Sequence, residues 1–278
     1  MLADIAERAD PARRLEKTVD WEPLWLGPPG RRLYAAMHHA PGRAKVGVVV
    51  APPLLSEQPR SRRLMFEIAG VLAAQGLPCL RFDYYGTGDS EGDGEAHDLA
   101  AICADLDVAV ARLREHAGLT RVAVMAWRGA ALAVCNWALR NPIDALILCD
   151  PVVDGAAWLA ELESADRKER VSYERYPHGA GAGEASDGQL MGYPVSAGWR
   201  RGVSALRLSE IAPGARAAIW AVLRNATGTP EWARRMFVLP AGTPRFDGQT
   251  RMDATLFLSP QLRALIAELG RELARLEP

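Results

Sequence analysis

The sequence predicts an α/β protein: a mostly parallel central sheet with helices on both faces. Three observations carry that prediction. Several short runs are apolar without alternation, such as Val46-Gly-Val-Val-Val-Ala51 and Ala145-Leu-Ile-Leu-Cys149, as in strands buried on both faces. Segments of helical periodicity separate them, among them residues 60–75 with Leu64, Met65, Ile68 and Leu72. The stretches after the strands are rich in Gly, Pro and Asp, which suit loops. A length of 278 residues accommodates one such domain with an insertion.

In order along the chain, residues 1–20 read as a polar lead-in. Residues 21–26 and 32–38 are predicted antiparallel strands, turned by Gly27-Pro-Pro-Gly30. The strand at 46–51 leads through a loop at 52–59 into the helix at 60–75. A strand at 79–83, a Gly/Asp loop at 84–93 and a long amphipathic helix at 97–116 follow. The strand at 121–126 with its helix at 129–140, then the strand at 145–149, complete the alternating stretch. Alternation then stops. Residues 152–212 hold a charged helix at 156–170, a Gly/Ala/Ser stretch at 178–186 and a second helix at 199–206. An insertion of that size between two strands is expected to form a cap. Strands at 217–223 and 236–239 and a helix at 262–276 finish a core made of residues 21–151 and 213–278. Ligands in such folds sit at the carboxyl ends of the strands. The loops at 52–59, 84–94, 126–129, 150–154, 224–230 and 240–250 are expected to converge there under the cap.

Composition narrows the function. The net charge is -1 and 49% of residues are hydrophobic, so neither a basic nucleic-acid surface nor an acidic tail is expected. No apolar run approaches the roughly 18–20 residues of a membrane span. Residues 1–18 mix both signs of charge, unlike a signal peptide, and a cytoplasmic protein is expected. Cys79, Cys103, Cys135 and Cys149 lack metal-like spacing and read as buried free thiols. No metal and no cofactor are expected.

The chemistry turns on residues 121–135, a β-branched strand, a sharp corner and an Ala-rich helix. That is the setting of a nucleophile elbow, Gly-x-Ser-x-Gly in α/β-hydrolases. The five positions here are Ala126, Trp127, Arg128, Gly129 and Ala130. A guanidinium stays protonated and cannot attack a carbonyl.

Other segments strengthen the likeness. The run from Arg81 through Asp83-Tyr-Tyr-Gly-Thr-Gly-Asp89 to Gly92 resembles the loop after the fourth strand in α/β-hydrolases of the serine-aminopeptidase-like group. Glu57-Gln-Pro-Arg-Ser-Arg-Arg63, Trp127-Arg128, Asp150-Pro-Val-Val-Asp-Gly155 and Met191-Gly-Tyr193 resemble the exosortase-associated hydrolases of the second type. Those are bacterial α/β-hydrolase-like proteins found near exopolysaccharide assembly systems, with Arg at the nucleophile position. The resemblance covers roughly residues 25–275 and implies an α/β-hydrolase fold. The chain departs from the pattern at Ala126 and Ala130, in place of the elbow glycines, and at Pro52-Pro53 after the third strand.

A hydrolase triad needs a nucleophile, an acid and a late His, in that order. The histidines are 38, 39, 97, 116 and 178, and none follows the insertion. Gly129 can offer one oxyanion N–H. Pro52 and Pro53 have none, so the second would come from Leu54 or beyond.

Arg128, Glu57 and Asp150 are the candidate catalytic residues. Arg128 is either an anion clamp at a helix N-terminus or the centre of an ion pair with Asp150, Asp83 or Glu57 that fills the elbow. Glu57 is a proton-transfer candidate or a solvated loop carboxylate. Leu54, Trp127, Gly129, Tyr193 and Trp199 are candidate substrate-binding residues, the three aromatics as pocket walls or as core. Arg60, Arg62 and Arg63 read as a solvated helix face or else as anion-binding, Asp83 and Asp89 as braces of the Gly loop, and His178 as an exposed loop residue or one that swings over the site.

Two functions follow. One is a divergent enzyme on an acyl, ester or anionic substrate, in exopolysaccharide or specialised metabolism. The other is a non-catalytic pseudo-hydrolase binding a small anionic ligand or a partner protein. A small-molecule substrate or ligand is expected, and a homodimer or a partner enzyme stays open.

Overall fold

The computed structural model describes residues 20–171, 188–225, 228–243, 245 and 257–276, without the side chains of residues 116 and 117. The lead-in at 1–19, His178 with its Gly/Ala/Ser stretch, and most of the loop predicted at 240–250 lie outside the described residues.

In chain order the elements are β1 (Trp21–Leu26), β2 (Leu33–His38), β3 (Val46–Ala51), α1 (Glu57–Ala74), β4 (Cys79–Phe82), α2 (Leu99–Ala117), β5 (Arg121–Trp127), α3 (Ala130–Ala138) and β6 (Ala145–Cys149). Then come α4 (Gly155–Arg170), β7 (Gln189–Leu190), β8 (Tyr193–Pro194), α5 (Ala197–Ser204), α6 (Leu208–Ile211), β9 (Ala218–Leu223), β10 (Arg235–Val238) and α7 (Pro260–Ala274).

Eight strands form one sheet in the order β1-β2-β4-β3-β5-β6-β9-β10, parallel from β4 to β10, with β1 and β2 antiparallel at one edge. This is the α/β-hydrolase fold predicted from the sequence. Side chains alternate between two cores. Val122, Val124 and Ala126 face a core with residues of α2 and α3, while Ala123, Met125 and Trp127 face one with residues of α1 and α7. A strand whose every position is buried reads as a continuous apolar run, which is why β3, β5 and β6 were legible.

One boundary matters for the site. The helix predicted from residue 60 begins at Glu57, with Pro59 in its first turn. Proline fits there because the first N–H groups of a helix have no partner within it. Glu57 is therefore a helical residue, not a loop carboxylate. Between β6 and β9 the chain forms α4, the β7–β8 hairpin, α5 and α6. Asp154 and Ser196 cap α4 and α5 by accepting from the N–H groups of Ala157 (2.9 Å) and Trp199 (3.0 Å). The ion pairs Arg207–Asp154 (2.7 Å) and Arg200–Glu163 (2.6 Å) tie these pieces together.

Candidate functional site

Backbone strain gathers at the carboxyl edge of the sheet. Among the described residues four non-glycines have positive φ, and three of them, Leu55 (53°), Arg128 (55°) and Asp150 (45°), follow β3, β5 and β6. A side chain in that conformation costs about 1–2 kcal/mol. The strained turn expected of an elbow is thus present at Arg128. The Arg128 N–H donates to the Cys149 carbonyl (3.1 Å), and its own carbonyl accepts from Ala131 (3.1 Å) and Val152 (3.2 Å).

The structure brings Arg128, Glu57 and Asp150 together. Arg128 Nε lies 3.4 Å from Glu57 Oε1, and Nη1 lies 3.7 Å from Asp150 Oδ2. Both distances exceed the usual 2.7–3.2 Å of an N–H···O hydrogen bond. Asp150 has a closer partner: Arg224 Nε at 2.8 Å, whose Nη1 donates to the Thr243 carbonyl at 3.0 Å. Glu57 is 4% exposed at its side chain, and its Oε2 has no hydrogen-bond partner. Burial pushes its pKa up to about 7, against the pull of Arg128 and with a further push from Asp150. One turn along α1, Arg60 is 8% exposed and its Nε and Nη2 meet no partner. Among the described residues, Arg128 and Arg60 face the carboxylates of Glu57 and Asp150 here, with Arg224 bound to Asp150, and burial raises the Glu57 pKa towards neutrality.

The other predicted residues fall elsewhere. Leu54 is buried in the core, and its carbonyl accepts the Glu57 N–H at 3.3 Å. Gly129 is covered: a Cβ there would lie 2.3 Å from the Trp158 ring of α4. Trp127, Tyr193 and Trp199 do not share a pocket. Trp127 is fully buried on the opposite face of the sheet, because strand alternation turns it away from the elbow. Trp199 is fully buried against Trp158, with ring centroids 6.1 Å apart. Tyr193 alone lines an opening, a cleft of about 300 Å³ between the start of α1, the loop after β4 and the β7–β8 hairpin.

Arg60, Arg62 and Arg63 are not one solvated face. Arg60 is buried, Arg62 pairs with Asp83 and with Asp89 (2.6 Å), and Arg63 pairs with Glu67 (3.1 Å). Asp83 braces the loop after β4 as expected, accepting from the Asp89 N–H at 3.0 Å. Asp83 makes no contact with Arg128, whose partners are Glu57 and Asp150. No described histidine touches Arg128, Glu57 or Asp150. Cys79, Cys135 and Cys149 are buried free thiols, and Cys103 is half-buried. Among the described residues no cluster of His, Cys, Asp or Glu suits a metal ion, and no helix is long and apolar enough to cross a membrane.

The strained elbow, the parallel sheet and the helices on both faces point to one family. The model of the serine aminopeptidase S33 family matches residues 35–176, just over half of the chain. The chain belongs to that family. Within solved structures this S33 member is similar to the DcsB complex with its substrate analogue (TM-score 0.60, 12% identity, covering 92% of this chain and 98% of that one). It is also similar to Est1E from Butyrivibrio proteoclasticus with ferulic acid bound (TM-score 0.56, 16% identity, 90% and 96% covered). A third is the esterase Pf2001 from Pyrococcus furiosus (TM-score 0.51, 13% identity, 73% and 69% covered). At these identities the likeness is one of fold. Among curated protein sequences none matches the chain.

Trp158 and Arg224, which frame this S33 elbow, and His97, which lines the Tyr193 cleft, were missed in sequence, and Arg60 was read there as part of a helix face. Arg60 carried a signal, since it stands three residues after Glu57 on one helix face. Arg224 follows β9 in a loop already assigned to the carboxyl edge. For His97 and Trp158 the sequence holds no signal.

Proposed function

We propose that this S33 member does not hydrolyse esters and instead binds a small oxyanion, a carboxylate or a phosphate, at the converted elbow. The observation that carries this reading is the loose pairing of Arg128 and Arg60 there. Arg128 is held only at 3.4 and 3.7 Å, Arg60 has two unpartnered nitrogens, and Glu57 is partly neutral. An anion would complete the hydrogen bonds of guanidiniums that the protein leaves loose, and charge-assisted bonds of that kind are the strong ones. Retained strain at Arg128 supports a functional reading, since the elbow conformation serves no hydrolytic purpose with this side chain. The segment from α4 to α6, with Trp158 over Gly129, acts as the cap in this scheme. The Arg at the nucleophile position is also what resembles the exosortase-associated hydrolases, which supports a role beside exopolysaccharide assembly.

A second reading has one observation in its favour. Glu57, with a pKa of about 7 and a free Oε2, is poised to donate or accept a proton. In that case Arg128 polarises the substrate, and the protein is a divergent enzyme on an acyl or anionic substrate.

One set of measurements separates the two. Calorimetric titration with acetate and with inorganic phosphate compares the wild type with Arg128→Ala. We expect saturable binding of one of them, weakened at least about tenfold in the variant. Binding should be tighter at about pH 6 than at about pH 8, because protonation of Glu57 raises the positive charge of the cluster. Release of p-nitrophenol from short and long acyl esters should stay at background. Turnover abolished by Arg128→Ala would replace this proposal with the enzymatic one.

A further inference from the structure

The cleft beside Tyr193 shares helix α1 with the elbow cluster but not its charged side chains, and its chemistry is the opposite. Arg128, Glu57 and Asp150 are not among its walls. Its surface is mostly carbon, from residues such as Leu55, Pro59, Gly86 and Pro194. The cation at its rim is already met twice, because Arg62 Nη2 contacts both Asp83 and Asp89. At its wall stands His97, 3% exposed, with neither Nδ1 nor Nε2 meeting a hydrogen-bond partner. Burial holds that imidazole neutral, its pKa lowered to about 4 against the pull of Asp98 and of the Tyr85 carbonyl, which lies near the ring without full hydrogen-bond geometry. A neutral imidazole carries one donor and one acceptor; the nearby Tyr85 carbonyl can serve only the donor, so the acceptor nitrogen is left unsatisfied in a buried position, which is costly.

The walls are also held in place before any ligand arrives. Asp83 accepts from the Asp89 N–H (3.0 Å) and from Gln58 Nε2 (3.3 Å), while Thr87 Oγ1 donates to the Tyr84 carbonyl (2.8 Å). Gly88 packs against the Asp83 carboxylate, where a Cβ would come within 2.2 Å. Across the opening, Gly94 packs against the Pro194 ring, with 2.9 Å left for a Cβ, so the hairpin is seated on the turn before α2.

From this geometry we infer a second binding site, distinct from the elbow, for an uncharged small molecule with a compact apolar body and one hydroxyl. The carbon walls take the body. The hydroxyl donates to the acceptor nitrogen of His97, since the two ring nitrogens point apart and one hydroxyl reaches only one of them. A volume near 300 Å³ lies at the lower end of ligand pockets, so the occupant is small. A carboxylate is disfavoured, because the nearest cation already faces two carboxylates.

Calorimetric titration of the full chain with 4-methylphenol tests this, with benzoate and benzylamine as charged counterparts. We expect one saturable site for 4-methylphenol, weakened at least about tenfold in His97→Phe, the loss of one good hydrogen bond. Arg128→Ala should leave that binding unchanged. The imidazole resonances of His97 in the wild type should shift on adding 4-methylphenol, a readout that holds even where His97→Phe fails to fold. Absence of saturable binding, equal affinity in His97→Phe, or unmoved His97 resonances would overturn the inference. Ester hydrolysis by the wild type would overturn the elbow proposal alone. Benzoate binding lost in Arg128→Ala but kept in His97→Phe would support the elbow proposal while leaving the cleft to the phenol.

Discussion

Two arginine–carboxylate clusters stand close together at the carboxyl edge of this sheet, and they are built to different standards. Around Arg62 the contacts are shorter: Asp83, Asp89 at 2.6 Å and the Asp89 N–H on Asp83 at 3.0 Å, with Gln58 Nε2 on Asp83 at a longer 3.3 Å. Around Arg128 they are long and incomplete, at 3.4 and 3.7 Å, with Glu57 Oε2 and two nitrogens of Arg60 left over. A satisfied network holds architecture in place, here the loop after β4. A buried network with members unsatisfied is unfavourable by itself, and it is retained where something else completes it. The same residue types therefore give a brace in one place and a receptive site in the other.

The largest expected effect comes from breaking the brace. Asp83→Ala leaves the Asp89 N–H without its acceptor, takes from Arg62 and Gln58 one of two acceptors each, and removes the carboxylate that Gly88 packs against. Removing one partner of a largely buried pair costs about 3–5 kcal/mol. Arg62 is partly solvated, so we expect about 2–4 kcal/mol, measured by urea unfolding. Arg128→Met should cost far less, because Glu57 can shed its charge by taking up a proton. Equal costs for the two variants would erase the distinction between the clusters.

That distinction was only half legible in the sequence. The continuous apolar runs of β3, β5 and β6 gave away the parallel sheet, because burial on both faces leaves no room for alternation. The elbow was visible as a strand, a corner and an Ala-rich helix, and Arg128, Glu57 and Asp150 do meet there. What stayed open was orientation. Trp127 was grouped with Tyr193 and Trp199, yet each depends on which way its element turns. A one-residue step on β5 sends Trp127 to the opposite core from Ala126. Likewise Arg60 and Arg63 belong to one helix, but one is buried and the other is not. Pro59 hid the true start of α1, and with it the one-turn spacing that sets Arg60 beside Glu57. His97 enters its cleft through contacts distant in sequence, which no local pattern encodes.

A smaller effect sharpens the picture of the receptive cluster through its pH dependence. Glu57 has a folded pKa of about 7, raised from 4.5. Between those values the folded state binds more protons than the unfolded state. Its contribution to stability is therefore full below about pH 4.5 and is lost as the pH rises through about 7. The size of that loss is about 3 kcal/mol. His38 and His97 work in the opposite sense, since each is lowered from 6.5 to about 4 and costs stability as the pH falls through that range. The overlapping windows mask each other in the wild type, so the difference between proteins is the informative quantity. Glu57→Gln should gain stability relative to the wild type as the pH rises from about 4.5 to about 7, followed by thermal unfolding at each pH. A difference that stays flat across the window would mean that Glu57 is as solvated as an ordinary surface carboxylate.

The smallest expected effect on stability is at Arg60, and it separates architecture from binding most cleanly. A buried guanidinium with two unpartnered nitrogens adds little to the fold, and an apolar side chain of similar length removes its desolvation cost. Arg60→Met is therefore expected to change stability by no more than about 1 kcal/mol, with any change towards greater stability. The loss of its charge also removes one influence that favours ionised Glu57, so the Glu57 pKa should move further up. Oxyanion affinity should fall in the same variant. A protein as stable as the wild type but weaker for acetate or phosphate is the signature of a residue kept for its ligand at the expense of the fold. A marked destabilisation without change in anion affinity would instead make Arg60 a second brace, and the two clusters would no longer differ in kind.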